Sequence, residues 1–152
     1  MTPVLTLTMG IPGAGKTTWA RAQAGVRHLA TDPLRTNRSI YRVAYIAQLR
    51  RAAYAYLRAG DSVVIEACSV KAQDRAAWLR LAARAGASTR LAVVSVDLPT
   101  ALARNARRGP TGVPPHIVAQ YAAVMARNLT RLESEGWGEV LHVNGMPVES
   151  AG

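Results

Sequence analysis

Eight residues near the amino terminus, Gly10-Ile11-Pro12-Gly13-Ala14-Gly15-Lys16-Thr17, constrain the fold more than anything else in the chain. They fit the pattern G-x-x-x-x-G-K-[ST], and their flanks supply the context the pattern requires. Before them, Val4 to Met9 alternates apolar and polar residues as a strand does. After them, Lys16 to Ala24 reads as a helix stopped by Gly25. A strand that turns through a glycine loop into a helix aims successive backbone N–H groups and the helix N-terminus at a phosphate. Gly10, Pro12, Gly13, Ala14 and Gly15 would form that cradle, with Thr18 following in the helix. Lys16 would reach the β and γ oxygens of ATP or another nucleoside triphosphate, and the Thr17 hydroxyl would be a magnesium ligand. A glycine turn followed by an incidental Lys-Thr pair is disfavoured by the strand and helix on either side.

The remaining chain repeats the alternation. His28 to Ala30 is a short strand and Ser39 to Ala59 a long helix closed by Gly60-Asp61. Ser62 to Glu66 is a nearly continuous apolar strand of the kind that helices cover on both faces. Ala72 to Ala85 is helical, with Trp78, Leu81 and Ala82 apolar and Arg75, Arg80 and Arg84 facing water, and Gly86 ends it. Thr89 to Val96 is a fourth strand and Pro99 to Arg107 a short helix. The stretch Gly109 to Pro114 breaks that helix, and Pro115 to Leu132 restarts with Ile117, Tyr121 and Val124 on one stripe. Gly138 to Val143 is a last strand and Gly145 to Gly152 a tail. Such spacing predicts an α/β fold: a parallel sheet of about five strands joined by right-handed crossovers, with its site at the carboxyl ends of the strands.

Length and composition fit one such domain. The chain has 152 residues, 49% hydrophobic and 18% charged, which excludes long disorder and leaves no stretch apolar enough for a membrane span. One cysteine, Cys68, permits no internal disulfide, so a reducing cytoplasm suits the chain. The formal charge of +10 comes from seventeen arginines with only Lys16 and Lys71 beside them. A basic surface attracts polyanions, although high-GC coding alone also enriches arginine.

Several residues have two readings each. Asp32, in Thr31-Asp32-Pro33-Leu34-Arg35 after the second strand, could take a proton from an acceptor hydroxyl, or could cap a helix that Pro33 begins. Arg104 and Arg108, four apart beside a glycine- and proline-rich hinge, could form a lid that neutralises the transferring phosphate. They could equally be a solvated basic helix end. Tyr41, Tyr45 and Tyr56 alternate with Arg38, Arg42, Arg50 and Arg51, either as a face that stacks bases and pairs phosphates or as aromatics packed on the sheet. Glu66 could orient magnesium-bound water or the acceptor, or cap the next turn, and Asp97 is favoured as a helix cap before Pro99. His28, His116 and His142 have no metal-ligand spacing, and Cys68 reads as a small packed side chain.

Three blocks together resemble the kinase domain of phage 5′-polynucleotide kinases: Gly10 through Arg21, Asp32-Pro33-Leu34-Arg35, and Arg104-Asn105-Ala106-Arg107-Arg108-Gly109 followed by Val113-Pro114 and Tyr121. The resemblance implies a P-loop NTPase kinase-type fold over residues 1–144, with a small helical lid around 104–114 and a tail at 145–152. It implies that Asp32 is the general base on a 5′-hydroxyl and that Arg35 holds a phosphate of the acceptor strand. Arg108 is implied to contact the ATP phosphates, with Lys16 and Thr17 on the phosphate and magnesium positions. The chain departs from the pattern after the third strand, where Glu66-Ala67-Cys68-Ser69 replaces an Asp-x-Thr-Asn or Ser-Asp-Thr-Asn stretch. It also carries no D-x-D-G-T phosphatase motif. The resulting expectation is a phosphotransferase acting with ATP and Mg2+ on the 5′-OH end of DNA or RNA. A kinase of a small hydroxyl compound and a nucleotide-dependent binding module are the alternatives.

Overall fold

The computed structural model describes residues 2–31 and 39–144. Within them lie strands β1 (Val4–Met9), β2 (Arg27–Ala30), β3 (Val63–Glu66), β4 (Ser88–Ser95) and β5 (Glu139–Asn144). All pair in parallel, in the order β2-β3-β1-β4-β5. The connections carry helices α1 (Lys16–Arg21), α2 (Ser39–Arg58), α3 (Ala72–Ala85), α4 (Leu98–Arg107) and α5 (Pro115–Asn128), with 3₁₀ segments at Gly109–Thr111 and Leu129–Ser134. The five-strand parallel sheet flanked by helices is the expected architecture.

β1 is the middle strand of the five, and its Leu5 pairs with Val63 on one side and with Thr89 on the other. Its residues Leu5, Leu7 and Met9 are fully buried, as are Val63 and Ile65 of β3 and Leu91 to Val94 of β4. Burial of both faces explains why these strands read as apolar runs. The chain leaves β1 for β2 on one side and leaves β3 for β4 on the other. The strand order therefore reverses beside β1, which opens a crevice at the carboxyl end that the glycine loop occupies.

Four sequence expectations change. α1 stops at Arg21 instead of Ala24, because Ala22 and Gln23 turn back onto Trp19 and Ala20 and the Gln23 side chain takes the Trp19 carbonyl. The last long helix stops at Asn128, whose side chain bonds Val124 O and accepts from Arg75; the chain tightens to 3₁₀ from Leu129. On α5 the stripe shifts by one residue, with Val118 and Met125 buried and Ile117, Tyr121 and Val124 half-buried.

The fourth change is Arg75, which does not face water. It is fully buried and all five guanidinium N–H groups are used. They donate to both Glu135 carboxylate oxygens, to the carbonyls of Ser69 and Val70, and to Asn128 Oδ1. The hub ties the β3–α3 loop to the end of α5. Burial would raise the Glu135 carboxyl, but hydrogen bonds from Arg75 and Trp137 and the Arg75 charge outweigh it and hold the group below its ordinary value. Arg80 and Arg84 are exposed as expected.

Candidate nucleotide and acceptor site

The loop between β1 and α1 is locked from three sides. Gly10 N–H donates to Cys68 O at 2.9 Å, and Ala14 N–H closes a turn on Ile11 O. Gly13 sits at φ 88°, and a Cβ there would lie 2.5 Å from Ala101 O of α4, so only glycine lets the loop pass under that helix. Gly15 then caps α1 with no side-chain bond. No capping side chain therefore covers the N-terminus of α1, the end of a helix that favours an anion.

Lys16 Nζ donates to Ile11 O at 2.9 Å, folded across the loop it belongs to. Thr17 Oγ1 donates to Glu66 Oε1, joining the first turn of α1 to the end of β3. Glu66 is also where β2 ends, because Thr31 N–H donates to Glu66 O at 2.9 Å and Thr31 Oγ1 reaches the same carbonyl. A hydroxyl and a carboxylate side by side form the oxygen donor set that a hard cation such as Mg2+ takes, so these residues fit that ion. The fully buried Thr8 hydroxyl bonds reciprocally with Ala67 and holds the segment after Glu66 against β1.

α4 closes the other side. Asp97 caps it by accepting Thr100 N–H at 2.8 Å, as its sequence position suggests, and that bond lowers the Asp97 carboxyl below its ordinary value. Arg104 donates to Gly13 O at 3.2 Å, which places this arginine on the glycine loop. Arg108 is half-buried at the end of α4, and its carbonyl accepts both the N–H and the hydroxyl of Thr111.

The residue that sequence reasoning left without a role is Asn105. It is buried and clasps Val113 reciprocally, donating to Val113 O at 2.6 Å and accepting Val113 N–H at 3.0 Å. A Cβ on Gly112 would lie 2.6 Å from Asn105 O, so the Gly109–Val113 stretch folds flat against α4. The signal was available, since Asn105 follows buried Ala101 by four residues on an otherwise apolar stripe.

Asp32, Pro33, Leu34, Arg35 and Arg38 lie outside the described residues, as does the tail at 145–152. Of the tyrosines, Tyr45 donates to Ala30 O at 2.6 Å and packs against the core, and burial raises its phenol. Tyr56 packs inward beneath Arg27. Both take the packed role. Cys68 is half-buried against the core, and its carbonyl serves the glycine loop.

A phosphate cradle at the switch point of a parallel sheet, with an arginine-bearing helix closing over it, defines a P-loop kinase domain. The chain belongs to the AAA domain family AAA_33, whose model matches residues 5–132. Solved structures with the same fold include a chain of the Pnkp1/Rnl/Hen1 RNA repair complex, at TM-score 0.76 and 17% identity over 86% of this chain and 46% of that one. This chain therefore spans about half the length of that relative. A kinase candidate from Chloroflexus aurantiacus J-10-fl matches at TM-score 0.70 and 20% identity, over 95% and 89% of the two chains. A gluconokinase from Sinorhizobium meliloti 1021 matches at TM-score 0.61 and 17% identity, over 99% and 85%. Among the described residues no helix is long and apolar enough to cross a membrane.

Proposed function

We propose that the chain is an ATP-dependent kinase that transfers the γ-phosphate to the 5′-hydroxyl of a DNA or RNA strand. The observation that carries this reading is the double engagement of Glu66. Its carboxylate takes the Thr17 hydroxyl of the phosphate loop, and its carbonyl takes Thr31 N–H, one residue before Asp32. The residue that precedes the candidate base is thereby tied to the donor site, an arrangement that a nucleotide switch with no acceptor has no use for. The polynucleotide acceptor rests on the resemblance in Asp32, Arg35 and the Arg104–Pro114 block, together with the charge of +10. Fold similarity to the RNA repair complex is compatible with it.

In this scheme the 5′-oxygen attacks the γ-phosphorus, the bond to the β,γ-bridging oxygen breaks, ADP leaves, and the proton passes to the Asp32 carboxylate. The loop N–H groups and Lys16 hold the phosphates, and Arg104 and Arg108 offset charge that builds on the transferring group. Bound at Thr17 and Glu66, Mg2+ would supply charge neutralisation at the β and γ oxygens. Arg35 would position the acceptor through a strand phosphate.

Full-length alignment with a gluconokinase fold favours a second reading in which a small polyol takes the acceptor place. Asp32→Asn tests the shared chemistry: transfer should fall about 10²-fold or more while ATP still binds. Near wild-type turnover would reduce Asp32 to a helix cap.

A further inference from the structure

α2 and α3 pack on each other, and both start at the carboxyl edge of the sheet that holds the site, α2 after β2 and α3 after β3. Both then run away from that edge, α2 for about 30 Å over its 20 residues. The shared outer surface is strongly basic. Arg42, Arg50, Arg51 and Arg58 of α2 and Arg80 and Arg84 of α3 are exposed, against Asp74 as the one exposed carboxylate on either helix. α2 carries no acidic residue at all.

The arginines are organised across the seam. Arg50, Tyr54 and Arg58 recur every four residues on α2, and Arg80 and Arg84 do so on α3. Arg50 of α2 lies over Trp78 of α3 at 5.9 Å, and Arg84 of α3 lies over Tyr54 of α2 at 5.9 Å. Stacking uses the flat face of a guanidinium and leaves its in-plane N–H fork for phosphate. Tyr54, outside the arginine–tyrosine alternation read from the sequence, has an exposed side chain.

We infer that the α2–α3 seam is a docking track for the sugar-phosphate backbone of a single-stranded nucleic acid, leading away from the site. The inference rests on the polynucleotide reading and deepens it: the strand whose 5′ end enters the site continues along the seam. Charge complementarity and the exposed arginines set over aromatic rings select a polyanionic strand as the occupant.

The test uses the full chain and the triple variant Arg58→Gln/Arg80→Gln/Arg84→Gln, all remote from the phosphate loop, with Arg80→Gln alone as a milder check. Binding of a 3′-fluorescent 5′-hydroxyl 20-mer and of a trinucleotide is followed by anisotropy without ATP, between about 50 and 200 mM salt. The triple variant should bind the 20-mer about 10-fold or more weaker at low salt, with a log–log salt slope reduced by about 2, and Arg80→Gln should reduce the slope by about 0.7. Trinucleotide affinity should not change. Equal 20-mer affinity and slope for variant and wild type, or no binding of the 20-mer by wild type, would overturn the track. Transfer from labelled ATP separates the two ideas. Phosphorylated oligonucleotide with unaltered variant binding removes the track and keeps the kinase; variant-sensitive binding with no phosphorylated oligonucleotide keeps the track and removes the kinase.

Discussion

The glycine loop and the α2–α3 seam both present positive charge outward, and they are built in opposite ways. The loop works through backbone held to a fraction of an ångström: Gly13 under Ala101, Gly10 N–H on Cys68 O, Arg104 on Gly13 O. The seam works through long exposed side chains that no carboxylate pins among the described residues. A site made of close approaches fails when one atom is added. A site made of many weak charges fails by degrees, and salt screens it. The two regions should therefore respond to substitution on different scales.

The largest effect should come from the loop. Lys16→Ala should abolish detectable transfer with the thermal melt unchanged, because the side chain stabilises transferring charge and, among the described residues, bonds one loop carbonyl. Measurable magnesium-ATP turnover would break the contrast. Gly13→Ala should cost stability as well as activity: about 1–2 kcal/mol for the left-handed backbone and about 1–3 kcal/mol for crowding Ala101. A melting temperature equal to wild type would mean that the loop gives way easily.

Arg75 sharpens the comparison, being an arginine used in the manner of the loop. Arg75→Ala should destabilise by about 3–5 kcal/mol, since it strands the Glu135 carboxylate and two carbonyls. Arg80→Ala on the same helix should change stability by about 0.5 kcal/mol or less. The folded-state carboxyl of Glu135 is lowered, so its stabilisation is present above the unfolded value of about 4.3 and is lost as pH falls through the lower folded value. Urea titrations between about pH 5 and pH 3 should show that loss in wild type and less of it in Glu135→Gln.

What was legible in the sequence follows the same division. The alternation of strands and helices, the glycine loop and the Asp97 cap rest on local patterns that a single chain prints, and they stand as expected apart from shifts at element ends, whereas the order of the strands in the sheet is tertiary. Arg75 was misread because its charge was weighed above its place: it precedes Trp78 by three and Ala82 by seven residues, on the buried stripe of α3. Its carboxylate partner is 60 residues away, and no local pattern carries that distance. The Asn105 clasp on Val113 and the Thr17–Glu66 bond are likewise tertiary. The seam was half legible, because arginine–tyrosine alternation marked α2 as basic and aromatic, while the contribution of α3 required the two helices side by side.

The central claim is a kinase whose acceptor is a strand end, and acceptor competition at fixed magnesium-ATP tests it most directly. The kcat/KM for a 5′-hydroxyl oligonucleotide should exceed that for the matching free nucleoside and for gluconate by about 10²-fold or more, and should fall with rising salt as phosphate contacts are lost. A nucleoside or gluconate used as efficiently as the oligonucleotide, with no salt dependence, would contradict the account and put a small hydroxyl compound in the acceptor place.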